Sequence, residues 1–355
     1  AFTLRLWQLP SLPPGLWYDE AYNALDAIWM AETGDLKPFV VGNNGREVLW
    51  HFLLIPAIRL FGQTAFSVRF VGGLAGMLSI PVMYRFALAL AGPFVRNRNE
   101  ARWFAVAAAG WLAVSWWHLQ NSRSGYRPIL LPLLLMLSLY FYWLVWQSVF
   151  RQQKGWVRNA VLAGFFLGLS QYSYLPARLA PLIFGGLAVI WSILIVRQVA
   201  GSEKRHRLVH WWVATGVVVV ISAMVFIPLG IFFWQNPEAF SSRTADVAFS
   251  PDTPGETAAH LLEAAGLFLG AGHELYRHHL PDGRRAMLGW LEIPLFWIGL
   301  VILLFPRRLK QAETQLILLG FFVMWLPAML ASPPVHSLRP IGLLPFYYLI
   351  VTVGM

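Results

Sequence analysis

The residues best suited to chemistry are acids and arginines in short polar strings between long apolar runs. Asp19 and Glu20 stand side by side at the start of YDEAYNALDAIWMAET. A partly desolvated carboxylate is a natural general base for a hydroxyl group. The same pair also suits a helix start, as N-cap and first-turn acid facing the helix dipole. In NNGREVLWHF, Arg46 can bind phosphate oxygens bidentately or simply extend its head to water, and Glu47 follows it. In QNSRSGYRP, Arg123 and Arg127 are four apart and would share a face if the string is helical. Arg178 stands in YLPARLAP, and His336 and Arg339 stand in PPVHSLRPIGLLPFYY. The string HELYRHHLPDGRR invites a metal reading, but His273 and His278 are five apart, so a helix would separate them by about 140°. The zinc-protease pattern needs a spacing of four.

The elements that must position these residues follow from composition. The 355 residues are 57% hydrophobic, 15% aromatic and 12% charged, with a mean hydropathy of +0.56. Soluble domains carry about 25% charged residues. So few charges cannot cover a soluble surface of this size, and a polytopic, all-α membrane protein is the class that remains. With no cysteines, disulfides, thiolate metal sites and cysteine nucleophiles are excluded. The net charge of +10 is read as basic residues flanking spans rather than as a nucleic-acid footprint.

Apolar runs predict spans near 64–92, 103–119, 127–149, 157–173, 178–197, 210–234, 286–306, 312–331 and 338–355. Residues 1–9 read as the last turns of a further one, for about ten in all, and both ends read as cut from a longer chain. Sorting the loops alternately puts PFVRNRNEAR, RQQKGWVR, RQVAGSEKRHRLVH and PRRLK on one side. They hold thirteen Lys or Arg, and the only acids on that side are Glu100, Glu203 and Glu313. The positive-inside rule assigns them to the cytoplasm. Two long segments, 10–63 and 235–285, then face outward as parts of a single transmembrane domain over 1–355. The first is expected to hold two interfacial helices, one capped by Asp19 with Tyr22, Leu25, Ile28 and Trp29 on one face, the other in VLWHFLLIPAIRLFG. In the second, SPDTPGET reads as loop and ETAAHLLEAAGLFLG as a short helix. Gly164–Gly168, Gly72–Gly76 and Gly266–Gly270 have the spacing of close helix packing.

This order of parts resembles the GT-C membrane glycosyltransferases, in particular the protein O-mannosyltransferase and aminoarabinose-transferase-like branch. The strings that carry the resemblance are GLWYDEAYNALDA, LFGQTAFSVRFVGGLAG, NSRSGYRP, NPEAFSSRTADV, RHHLPDGRRAMLGW and HSLRPIGLLP, which run through essentially the whole chain. The resemblance implies transfer of a monosaccharide, with inversion, from a polyprenyl-phosphate carrier to an acceptor hydroxyl at the non-cytoplasmic face. It carries Asp19 over as the base, with Glu20 as neighbour and substitute. Arg339, then Arg46, Arg123 and Arg127, with His336, would hold the departing phosphate. Tyr18, Tyr22 and Glu47 are expected contacts for sugar or acceptor. The implied partners are the lipid-linked donor, membrane lipids and an acceptor that is protein, lipid or envelope polymer, with no nucleic acid. No cofactor is required, and a divalent metal stays open. The implied location is a bacterial inner membrane with the site outward. A non-catalytic accessory subunit would keep the same spans. A lipid transporter would want charged or broken helices at the midplane and repeat symmetry, and neither is visible.

Overall fold

A helix forms within each of the nine predicted spans, and the one at 103–119 is broken at Ser115. A computed structural model describes residues 1–274 and 284–355. A short α1 (Phe2–Leu6) leads into an irregular segment and α2 (Tyr18–Thr33). A small antiparallel hairpin follows, β1 (Phe39–Val40) with β2 (Arg46–Glu47), and then α3 (Leu49–Phe61). The bundle consists of α4 (Ala65–Leu90), α5 (Arg98–Val114), α6 (Trp116–Arg123), α7 (Leu130–Phe150), α8 (Trp156–Ser170), α9 (Ala180–Gln198) and α10 (Ser202–Gln235). Outside it lie α11 (Pro237–Val247), α12 (Pro254–Gly266) and a second hairpin, β3 (Gly272–Glu274) with β4 (Arg284–Ala286). It closes with α13 (Glu292–Leu304), α14 (Ala312–Met329) and α15 (Leu344–Val353). Among the described residues, five helical stretches are long and apolar enough to cross a membrane: 65–90, 127–150, 175–198, 202–235 and 312–329. The helices at the other expected spans are shorter.

The outer faces of these helices are apolar. On α10, Val213, Val220, Met224, Ile227 and Ile231 are all more than half exposed. A water-facing helix would not present such a stripe, and lipid is the solvent that accepts it. Inside, Tyr142, Trp143, Trp146, Trp191 and Trp211 stack into one aromatic cluster joining α7, α9 and α10. Lipid tails are as apolar as these rings, so helix association here rests on close packing rather than on water exclusion. The pair Gly164–Gly168 shows this. A Cβ on Gly164 would stand 2.5 Å from the Val218 carbonyl oxygen, and one on Gly168 would stand 2.7 Å from that of Ser222. Gly164→Ala is therefore expected to push α8 from α10 and cost about 1–3 kcal/mol, read as a lower thermal midpoint in detergent.

The two classes of loop gather at opposite ends of the bundle. At the basic end, Arg207 donates to the Phe150 carbonyl at 2.8 Å, and Arg308 donates to that of Pro93. At the other end, residues 10–63, 119–127, 174–178, 235–274 and 332–337 interlock. Trp117 donates to the Ser337 carbonyl, Phe249 N–H to the Leu330 carbonyl, and Ser332 N–H to the Val247 carbonyl.

Several expectations change. Asp19 does not cap α2. Trp17 is the N-cap, and Glu20, three residues on, accepts the Trp17 N–H at 2.9 Å in a capping box. The Tyr22, Leu25 and Trp29 face is exposed, whereas Glu20, Asn23, Ala27 and Met30 face the protein. The apolar face of α2 thus points outward, as an interfacial helix requires. Helix α11 and both hairpins add to the predicted elements; strands of two or three residues are too short to show a period. The HELYRHHLPDGRR histidines lie outside the residues whose side chains are described.

Candidate functional site

A cavity of about 590 Å³ opens at the end of the bundle where the two long segments meet. Asp19 enters it from the first turn of α2. Tyr174 and Arg178 come from the turn between α8 and α9, Arg243 and Thr244 from α11, and His336 and Arg339 from the loop after α14. Leu175, Leu179, Val247, Pro327 and Leu330 form an apolar wall beside them. One carboxylate thus shares an enclosed space with three guanidinium groups and an imidazole.

Each charged group is oriented by something specific. Asn43, at the tip of the β1–β2 hairpin, donates to Asp19 Oδ1 at 3.3 Å. That tip is held from two sides: Arg46 donates to the Gly42 carbonyl, and Arg243 donates to the Gly45 carbonyl at 2.6 Å. Gly45 has φ +73°, and a Cβ there would meet Phe39 at 2.8 Å, so the tip needs glycine. Arg178 donates to the Phe240 carbonyl at 2.7 Å and lies over the Phe240 ring at 4.3 Å. Arg339 donates to the Pro333 carbonyl at 2.9 Å. His336 Nδ1 accepts from Leu338 N–H at 3.1 Å, which places the proton of the neutral ring on Nε2.

Beneath the cavity lies a buried second layer. Glu47 is 2% exposed and stands 3.7 Å from Arg127 and 4.0 Å from Arg178. Arg127 is packed over the Tyr174 ring. Burial pushes the Tyr174 hydroxyl above its ordinary pKa, although Arg243, Arg127 and Arg339 pull the other way, so it remains a hydrogen-bond donor. Four arginines (127, 178, 243 and 339) against Asp19 and Glu47 leave two positive charges in excess. That excess suits an anion whose charge grows during reaction. It suits a divalent cation poorly, and among the described residues no three His, Asp or Glu side chains gather into a metal-binding set.

The residues singled out in the sequence divide clearly. Asp19, His336 and Arg339 line the cavity; Glu47 and Arg127 lie directly beneath it. Glu20 does not share the position of Asp19. It is fully buried, 3.0 Å from Arg69, and also accepts from Gly125 N–H at 2.8 Å. Arg46 is turned away, 2.5 Å from Asp26 and 2.9 Å from Asn23. Arg123 and Arg127 do not grip one ligand, because the chain is extended at Ser124 between them. Arg123 instead clamps the carbonyls of Leu4, Trp7 and Leu12. Tyr18 and Tyr22 are exposed on the outer face of α2, and Trp17 takes their expected place in the lining. Arg243 and Tyr174 were missed. Arg243 had a signal: Pro237 starts α11, and Phe240, Arg243, Thr244 and Val247 follow at helical spacing. A lone tyrosine in a turn, like Tyr174, has none.

His51 adds a testable detail near this layer. Its Nε2 is 3.9 Å from Asp26, yet burial, with Arg46 and Arg127 close by, pushes its pKa from 6.5 down to about 3. The folded-state value lies below the unfolded one, so the unfolded chain takes up the proton first. Stability is full above about pH 6.5 and falls as the pH drops toward 3. The thermal midpoint is expected to fall between about pH 6.5 and 5, and His51→Gln to remove that part of the fall.

No protein-family model matches the chain, and no curated protein matches it. Solved structures do. The chain superposes on ArnT from Cupriavidus metallidurans, bound to undecaprenyl phosphate, with a TM-score of 0.64 at 15% identity. It superposes on the Archaeoglobus fulgidus oligosaccharyltransferase tethered with an acceptor peptide with a TM-score of 0.58 at 14% identity. The archaeal oligosaccharyltransferase AglB, in complex with an inhibitory peptide and a dolichol-phosphate, matches with a TM-score of 0.58 at 12% identity. The chain shares the fold of these proteins, as the resemblance in its sequence implies. Each match covers 99% of this chain, but the chain spans only 58% of ArnT and 48–49% of the two oligosaccharyltransferase chains. Five helical stretches of spanning length with exposed apolar faces mark the chain as an integral membrane protein.

Proposed function

We propose that the chain transfers a monosaccharide from a polyprenyl-phosphate carrier to an acceptor hydroxyl, with inversion at the anomeric carbon. One observation carries the reading: Asp19 shares a single cavity with Arg178, Arg243, Arg339 and His336, beside an apolar wall. Asp19 takes the proton of the acceptor hydroxyl as it attacks. The C1–O bond to the carrier phosphate breaks on the opposite face, and the leaving phosphate gains one negative charge. The excess arginine charge and the Nε2–H of His336 stabilise it, so no strong acid is needed. The isoprenoid chain follows the apolar wall toward the bilayer. Undecaprenyl phosphate in the ArnT structure and dolichol-phosphate in the AglB structure are carriers of this chemical class and support the reading. By the positive-inside rule the cavity faces away from the cytoplasm, at the outer face of a bacterial plasma membrane.

The test is release of polyprenyl phosphate from a panel of radiolabelled polyprenyl-phosphate sugars by the purified chain, with native lipids and cell extract as the acceptor source. Consumption of one donor supports the reading and identifies the sugar. Consumption of none overturns it. With the active donor, Arg243→Gln and Arg339→Gln are each expected to lower kcat/KM by about 10–100-fold, the worth of a charge-assisted hydrogen bond at about 1.5–3 kcal/mol.

A further inference from the structure

The end of the bundle opposite the Asp19 cavity carries a second opening. Helix α9 ends there at Gln198, and α14 begins at Ala312 after the PRRLK loop. Between them lies a cleft of about 460 Å³. Ile190, Ile193 and Leu194 form its wall, and Arg197 and Lys310 stand at its rim. Ile193 is 46% exposed, and its neighbours Val189 and Val196 are exposed too. Ile193 thus opens the wall to the lipid around the spans, while Leu194 is buried and Ile190 packs against the protein core. Both rim cations are exposed, and among the described residues neither makes a hydrogen bond or ion pair. Gln315 Nε2 donates to the Leu309 carbonyl at 2.9 Å, which holds the rim loop against α14. The opposite amide atom, Gln315 Oε1, is buried with no hydrogen-bond partner among the described residues.

We propose that this cleft binds an anionic phospholipid of the leaflet at the basic end, phosphate at the rim and upper acyl chains along the wall. The dimensions fit. Seven residues separate Ile190 from Arg197, about 10 Å along a helix, or about a third of a ~30 Å hydrocarbon core. An occupant must then be apolar over that depth and negative at its head. A free phosphate ion meets only the rim and gains nothing from the wall. A zwitterionic lipid brings its own cation beside Arg197 and Lys310, which cancels the attraction. The cleft is separate from the donor cavity by the full length of the bundle, so the assignment does not rest on the proposed transfer reaction.

The experiment is lipid retention by the purified full chain in neutral detergent, read by native mass spectrometry and thermal midpoint. The probes are dioleoyl phosphatidylglycerol, dioleoyl phosphatidylcholine and inorganic phosphate. Phosphatidylglycerol is expected to bind about thirtyfold more tightly than phosphatidylcholine, at about fivefold for each cation near the headgroups. The double variant Arg197→Gln, Lys310→Gln is expected to lose that preference. Lys204→Gln with Arg205→Gln, which removes the same charge from the adjacent basic segment, is expected to keep it. Ile193→Trp fills the wall while both cations stay, and is expected to lose phosphatidylglycerol. Ile193, Arg197, Arg205 and Lys310 are exposed and Lys204 is half-buried, so the variants test the cleft and not the fold. Equal retention of the two lipids by the unaltered chain overturns the proposal. So does an unchanged preference in the Arg197, Lys310 double variant, or displacement of the lipid by inorganic phosphate at matching concentration.

Discussion

Asp19→Asn is expected to lower kcat for sugar transfer at least a hundredfold while leaving KM for the donor within a few-fold. A positioned base contributes about 10²–10⁴-fold, and the amide cannot accept the acceptor's proton. The substitution keeps the shape of the side chain. Asp19 is half-buried in the first turn of α2, and its side chain accepts a hydrogen bond from Asn43 at 3.3 Å; the amide oxygen of the variant can accept the same bond. The α2 start itself depends on Glu20 and Trp17, not on Asp19. Loss of rate with an unchanged thermal midpoint therefore reads as lost chemistry. Activity retained within tenfold would move the base elsewhere in the cavity and remove the mechanism proposed above.

Arg69→Met is expected to have the largest effect on stability. Arg69 and Glu20 are both fully buried, with Nε 3.0 Å from Oε1. Arg69 also donates to the carbonyls of Leu9, Pro13 and Gly15, so one guanidinium ties the segment before α2 to α4. Removing it leaves a buried carboxylate without its countercharge and strips three carbonyls of their donor. Breaking such a pair from one side costs about 3–5 kcal/mol. The expected readout is a fall of several degrees in the thermal midpoint in detergent. The double variant Glu20→Gln, Arg69→Met is expected to recover part of that loss, because the stranded charge is gone. Recovery of none would mean that the carbonyl contacts, rather than the ion pair, carry the effect. Per folded molecule, Glu20→Gln is expected to retain far more activity than Asp19→Asn, which separates the two adjacent acids by role.

These two acids also mark how far one-dimensional reading reaches. Side by side in sequence, Asp19 and Glu20 are chemically equivalent candidates. On a helix they point about 100° apart, so one enters the cavity and the other enters the core. Which does which depends on where Arg69 and Gly125 approach from α4 and the end of α6, and no local pattern encodes that. The arginines behave in the same way. Arg339, then Arg46, Arg123 and Arg127, are the expected phosphate ligands, but residue type alone does not separate them, because an arginine near a span end looks the same whether it binds a ligand or a carbonyl. Arg46 meets Asp26, and Arg123 meets three carbonyls; Arg339 lines the cavity.

The sequence by itself determined the solvent, the run of apolar helices and the sorting of loops between two ends. With 12% charged residues and apolar runs of spanning length, lipid is the only medium that satisfies the chain, and hydropathy is a local sum that needs no fold to evaluate. The sorting of loops by charge is local as well, and the structure gathers the same loops at the same ends. The helix around Asp19 and the interfacial helix after Arg46 were legible for the same reason: amphipathic period is a property of neighbours in sequence. Only the tertiary structure decided the site. Asp19, Tyr174 with Arg178, Arg243 and Arg339 come from four separate segments. Their meeting is set by packing between helices and by long-range hydrogen bonds such as Arg243 to Gly45. Such contacts depend on the whole arrangement at once, so what each charged side chain meets is decided only when the bundle closes.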